Sequence, residues 1–146
     1  MAILNYTTSI ATEKTASEIQ KKLAIAGAQA VLSEYDENGI MCAMSFRING
    51  LFFRLPINID GVYEVLVKDR KVVKRLKTYE QASKVAWRII KDWIEAQVAI
   101  VQAGQADIEQ AFLPYAQNQD GKTLYETIKE NGFKQITSNV ERVQGR

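Results

Sequence analysis

The segment 78–103, TYEQASKVAWRIIKDWIEAQVAIVQA, constrains the fold more than any other stretch. Ala82, Ala86, Ile89, Trp93, Ala96 and Ile100 recur at alternating steps of four and three, and Trp87, Ile90, Ile94, Val98 and Val101 form a second ridge beside them. Two adjoining apolar ridges take up well over a third of the circumference, which predicts a long helix buried on more than one side. The polar remainder is one stripe, Glu80, Lys84, Arg88, Lys91, Glu95 and Gln102, with three cations in its middle turns. Whatever else the chain forms has to cover this helix.

The upstream half supplies a cover. Residues 2–8 read as a short strand from Ile3, Leu4 and Tyr6 among threonines. Thr15 and Glu18 have capping-box spacing and open a helix with Ala16, Ile19, Leu23 and Ala26 on one face and Gly27 as its stop. Residues 29–35 form the next strand, and the turn 36–39 leads into 40–48. There Ile40, Cys42, Met44, Phe46 and Ile48 alternate with Met41, Ala43, Ser45 and Arg47. Asn49-Gly50 is a type I′ hairpin signal, Leu51, Phe53 and Leu55 continue the apolar face, and Pro56 ends the strand. Residues 59–71 fit either an alternating strand or a helix capped by Asp60 with Val62, Val65 and Leu66 inward; helix is the reading adopted. Beyond Gly104, residues 106–113 give two more turns ended by Pro114, and Thr123 with Glu126 makes a second capping-box pattern that opens a short helix closed by Asn131-Gly132.

Strand, helix, three antiparallel strands and then only helices is the order of an α+β fold: a meander with one face covered by the first helix and the long helix. A length of 146 residues fits one α+β domain over 1–136, with a sheet region over 1–57 and a helical region over 58–132, and residues 137–146 are expected to fray. Helix, three strands and helix is also the order of a double-stranded-RNA-binding domain, here with roughly twenty extra residues before the last helix; that likeness is topological only.

Composition excludes several chemistries. The chain has no histidine, which removes the commonest general base, the commonest zinc ligand and every Ser-His or Cys-His arrangement. Its single cysteine, Cys42, reads as a small buried hydrophobe, allows no internal disulfide, thiolate zinc site or iron–sulfur cluster, and suits a reduced cytoplasmic setting. The eight glycines are scattered singly and make no phosphate loop. Asp107 with Glu109 diverge by about 200° around a helix, and Asp92 with Glu95 are flanked by Arg88 and Lys91, so neither pair is read as a magnesium site. No catalytic residue, metal ligand or cofactor is expected. The absence of a long apolar run and of a basic region followed by an apolar one at the start argues against a membrane span and Sec-type export.

The positive signal is local, because a net charge of +2 creates no global field. Residues 68–77 hold Lys68, Arg70, Lys71, Lys74, Arg75 and Lys77 against one acid, Asp69. With Lys84, Arg88 and Lys91 at helical spacing, they either line one face that neutralises phosphates or form a solvated surface loop balanced by Asp36, Glu37 and Asp120 elsewhere, and the first reading is the functional expectation. Tyr79 beside them, and Tyr35 and Phe52 on the outer sheet face, are candidate stacking rings, although packing is the commoner role of such residues. Trp93 falls on the central ridge and reads as core. Trp87, at the margin of the apolar arc, also reads as core first, and is the candidate anchor for a partner or a second copy of the chain if it is exposed.

Phe53-Arg-Leu-Pro56, Ala86-Trp-Arg-Ile-Ile-Lys-Asp-Trp93 with Ala96-Gln97, and Phe112-Leu-Pro-Tyr115 together resemble a group of short uncharacterised accessory proteins carried in bacteriophage and prophage genomes. The resemblance runs from the TTSI stretch to LYETIKENG. It implies an accessory protein acting in the cytoplasm of an infected bacterium, and it carries over no catalytic residues. The leading expectation is a non-catalytic protein that binds nucleic acid or a host ribonucleoprotein through these cations. The alternatives are an anti-defence inhibitor, for example of a CRISPR effector, acting by protein contact, and a nucleotide-signal sponge with an arginine-lined pocket at a homodimer interface.

Overall fold

The computed structural model describes residues 2–136. Its elements are α1 (Thr12–Ile25), the strands β1 (Ala30–Tyr35), β2 (Met41–Ile48) and β3 (Leu51–Arg54), α2 (Ile59–Lys68), a 3₁₀ turn (Lys74–Leu76), α3 (Tyr79–Gln102), α4 (Ile108–Phe112), a second 3₁₀ turn (Leu113–Tyr115) and α5 (Leu124–Glu130). The strands form an antiparallel meander in the order β1-β2-β3. The architecture is α+β, and α1 and α3 pack on each other and on one face of the sheet. The expected fraying of 137–146 falls outside the described residues.

The hairpin forms as its residues demand. Asn49 (φ 52°) and Gly50 (φ 77°) both adopt positive φ, which fits the type I′ geometry and pairs Ile48 with Leu51. Its core consequence is an aromatic cluster in which Phe46 stacks on Phe53 at 5.2 Å and Phe112 meets Phe46 edge-on at 5.2 Å. Leu51, expected in the core, is exposed beside the turn.

The alternation of β2 is interrupted. Glu34 faces Ala43 and Tyr35 faces Met41, so Cys42 is an extra residue that forms a bulge. Met41 therefore turns inward with Met44, Phe46 and Ile48, and Cys42 is only half-buried, its Sγ 3.7 Å from the Glu34 carbonyl. The unbroken alternation expected for 40–48 had put Met41 outside and Cys42 inside.

Two further expectations are corrected. Residues 2–8 form turns instead of a strand, with Asn5 at φ 64°, because the buried amide of Gln81 donates 2.9 Å hydrogen bonds to the carbonyls of both Tyr6 and Thr8. Those carbonyls then need no strand partner. Thr15 is not an N-cap: α1 begins one turn earlier at Thr12, whose hydroxyl lies 3.0 Å from that of Ser83, and Thr15 is buried against α3.

α3 starts on Thr78, whose Oγ1 accepts the Gln81 amide at 3.1 Å. Its first half is buried nearly all round, through Gln81, Ala82, Ser83, Val85, Ala86 and Trp87, because α2 covers it on one side and α1 with the sheet on the other. Beyond α2 the buried arc narrows to Ile90, Ile94 and Val98, and Ala96 is exposed. The axis of burial is thus the ridge that starts at Trp87, not the one through Ile89 and Trp93. The choice of helix for the ambiguous stretch 59–71 is correct, but Asn58 and not Asp60 is its cap, accepting the Gly61 amide at 3.0 Å. Leu66 is inward as expected, Val65 is exposed, and α2 with the first 3₁₀ turn builds a second cluster of Ile59, Leu66, Val72, Leu76, Ala82 and Ala86.

Candidate anion-binding surface

The cations of 68–77 are presented by a pinned loop. Val72 and Leu76 are buried in the second cluster, and between and around them Lys68, Arg70, Lys71, Lys74 and Arg75 are exposed and Lys77 is half-buried. Apolar anchors four residues apart leave the intervening side chains nowhere to go but outward. The backbone is fixed as well: the Val72 amide bonds the Asp69 carbonyl at 3.2 Å, and the Leu76 and Lys77 amides close the 3₁₀ turn at 3.0 Å each. Asp69, the one acid in the stretch, uses its carboxylate to accept the Lys71 amide at 2.9 Å. Among the described residues none of these six cations has an acidic partner within ion-pair distance. The segment joins directly to the N-terminus of α3, whose dipole adds partial positive charge.

The three cations of α3 stand differently, and the expectation of one continuous basic face is corrected. Arg88 donates to Glu18 of α1 at 2.8 Å, with side-chain exposures of only 17% and 31% for the pair. Lys91 lies against Glu95 and Asp92, and Lys84 lies 3.7 Å from Glu80. The cause is packing: α1 runs beside the polar stripe of α3, and i,i+4 acids meet the lysines along it.

Trp87 is no partner anchor. Its side chain is 0% exposed and its Nε1–H donates to the Met41 carbonyl at 3.1 Å. Trp93 is half-buried, edge-on to Phe112 at 5.5 Å and to Tyr115 at 5.3 Å. Tyr79 is committed to the α2–α3 contact, 6.0 Å from Tyr63. Burial first, and then its hydrogen bond to Asp60, hold its phenol above the ordinary value of 10.0.

A recess of about 670 Å³ lies where the C-termini of α1 and α3 meet the β2–β3 turn and α4. Its polar groups serve the fold: Asn49 Nδ2 donates to Glu109 at 2.7 Å and Asp107 caps α4 through the Gln110 amide at 2.8 Å. Among the described residues no group of three or more His, Cys, Asp or Glu side chains is placed to hold a metal ion, and no helix is long and apolar enough to cross a membrane. Comparison of the chain with protein-family models, with curated proteins and with solved structures finds no match.

Proposed function

We propose that the chain is a non-catalytic accessory protein of phage type, acting in the host cytoplasm, that binds nucleic acid or a ribonucleoprotein through Lys68, Arg70, Lys71, Lys74, Arg75 and Lys77. One observation carries this reading: these six cations lack acidic partners among the described residues, whereas Lys84, Arg88 and Lys91 all have them. Unneutralised cations on an anchored loop suit a phosphate backbone, because each phosphate they contact releases a condensed counterion. Lys84, Arg88 and Lys91 have no role in it.

The test is a fluorescence-anisotropy titration with a labelled duplex across a salt series. If five of the six cations reach phosphates, log K falls against log salt with a slope of about −4 to −5. The double variant Lys74→Glu, Arg75→Glu removes most of the affinity and leaves thermal stability within the roughly 0.5 kcal/mol usual for exposed positions. Absence of binding at low ionic strength sinks the reading.

A second reading, an inhibitor of a defence protein acting by direct contact, is favoured by the apolar side chains beside the cations. Tyr63, Val65 and Val67 of α2 and Val73 of the loop are all exposed. Retention of a host protein after nuclease treatment, with no affinity for free nucleic acid, distinguishes it.

A further inference from the structure

The sheet face opposite α1 and α3 offers a second kind of contact. Cross-strand register sets Leu32, Ser45 and Arg54 in one row and Ala30, Arg47 and Phe52 in the next. Small residues lie between tall ones, so the two rows enclose a recess of about 220 Å³. That is below the roughly 300–1,000 Å³ of whole-ligand pockets and suits a single ring. Phe52 is 52% exposed and Leu32 60%, which leaves an aromatic face and an aliphatic one open beside the recess.

The charges on this face are unequal. Arg54 is held by Glu34 at 3.0 Å. The Arg47 side chain has no hydrogen-bond or ion-pair partner among the described residues, and its Nε is a buried donor without an acceptor. The residue is only half-buried and Nε alone of its nitrogens is a buried atom without a partner, so the outer edge of the guanidinium remains reachable. An unneutralised guanidinium next to an exposed aromatic ring complements a molecule that carries a flat ring and an oxyanion a few bonds apart.

An unpaired nucleotide is that molecule, whereas a duplex keeps its base faces stacked and closed. We propose that the open sheet face is a single-strand subsite in which Phe52 stacks on a base and Arg47 pairs with the adjacent phosphate. The inference rests on the nucleic-acid reading of residues 68–77 and adds to it a preference for unpaired strands. An acidic peptide would engage Arg47 but gain nothing from the Phe52 ring.

The test compares a labelled single-stranded oligonucleotide with the duplex of the same sequence, using the full chain, Phe52→Leu, Phe52→Trp, Arg47→Met and Lys74→Glu with Arg75→Glu, each checked by thermal melting. Phe52→Leu is expected to weaken single-strand binding about 5- to 50-fold, leaving duplex binding unchanged, and Phe52→Trp to retain it. Arg47→Met is expected to reduce the single-strand salt slope by about 1. Single-strand binding unaltered in Phe52→Leu and Arg47→Met overturns the subsite while leaving the basic loop's role intact, as does equal loss on both strand forms. Displacement of the strand by a polyglutamate peptide that binds Phe52→Leu as well as the parent assigns the face to acidic polypeptide and also overturns it. Failure of the unaltered chain to bind either form removes the loop reading and the subsite together.

Discussion

Arg88 ties α3 to α1 through Glu18, seventy residues away in sequence. Half-buried, with a 2.8 Å contact, the pair stands between the exposed ion pairs that contribute almost nothing and the buried ones whose rupture costs several kcal/mol. Glu18→Gln is therefore expected to lower stability by about 1–2 kcal/mol in urea denaturation without reducing polyanion affinity. A loss of affinity instead would return Arg88 to the binding surface. Helical spacing shows that Arg88 shares a stripe with Lys84 and Lys91, but not which helix settles against that stripe, so Glu18 could not be named from the sequence. The cations of 68–77 were legible because their only local acid is Asp69. Val72 and Leu76, which pin the loop, were not legible, because the run offers three apolar residues, Val72, Val73 and Leu76, and only packing against α2 and α3 decides that Val73 is the one left outside.

At the level of elements, one spacing gave two outcomes. Thr123 and Glu126 form a true capping box, with the Thr123 amide donating to Glu126 at 2.9 Å and the Glu126 amide to Thr123 Oγ1 at 3.2 Å. Thr15 and Glu18 share that spacing but serve the α1–α3 contact, since a cap is defined by the backbone before it and not by the pair alone. Thr123→Ala is expected to destabilise α5 by about 1 kcal/mol, read as faster amide exchange in Leu124–Glu130. The backbone hydrogen bond from Thr123 and then its side-chain bond hold the Glu126 carboxyl below the ordinary glutamate value of 4.5. A folded value below the unfolded one means that its support for α5 is complete above 4.5 and is lost as pH falls through the lowered value. Acid should loosen α5 in the parent chain, and Glu126→Gln should remove that carboxylate's share of the pH dependence; an identical pH profile in the variant counts against the assignment. The bulge at Cys42 left no comparable signal, because an alternating run reads the same with or without one extra residue, and only the β1 register reveals it.

At the scale of the whole molecule, the described residues form two apolar clusters that share α3: one under the sheet, the other under α2 and the basic loop. A helix common to both should make them melt together. Leu66→Ala in the smaller cluster is expected to cost about 2–5 kcal/mol and to shift near- and far-ultraviolet circular dichroism transitions in step. Two separated transitions would instead mark α2 and its loop as an independently melting unit. Charge is distributed unevenly over the same framework: residues 68–77 carry six cations and one acid, +5, so a net charge of +2 leaves −3 for the rest of the chain. The two tryptophans give this arrangement an optical readout. Trp87 lies wholly enclosed with its indole hydrogen bonded to Met41, and Trp93 sits half-open between Phe112 and Tyr115. Iodide should quench the emission of a Trp87→Phe variant and spare that of a Trp93→Phe variant, so a protein with no added dye can report whether its sheet-to-helix seam has parted.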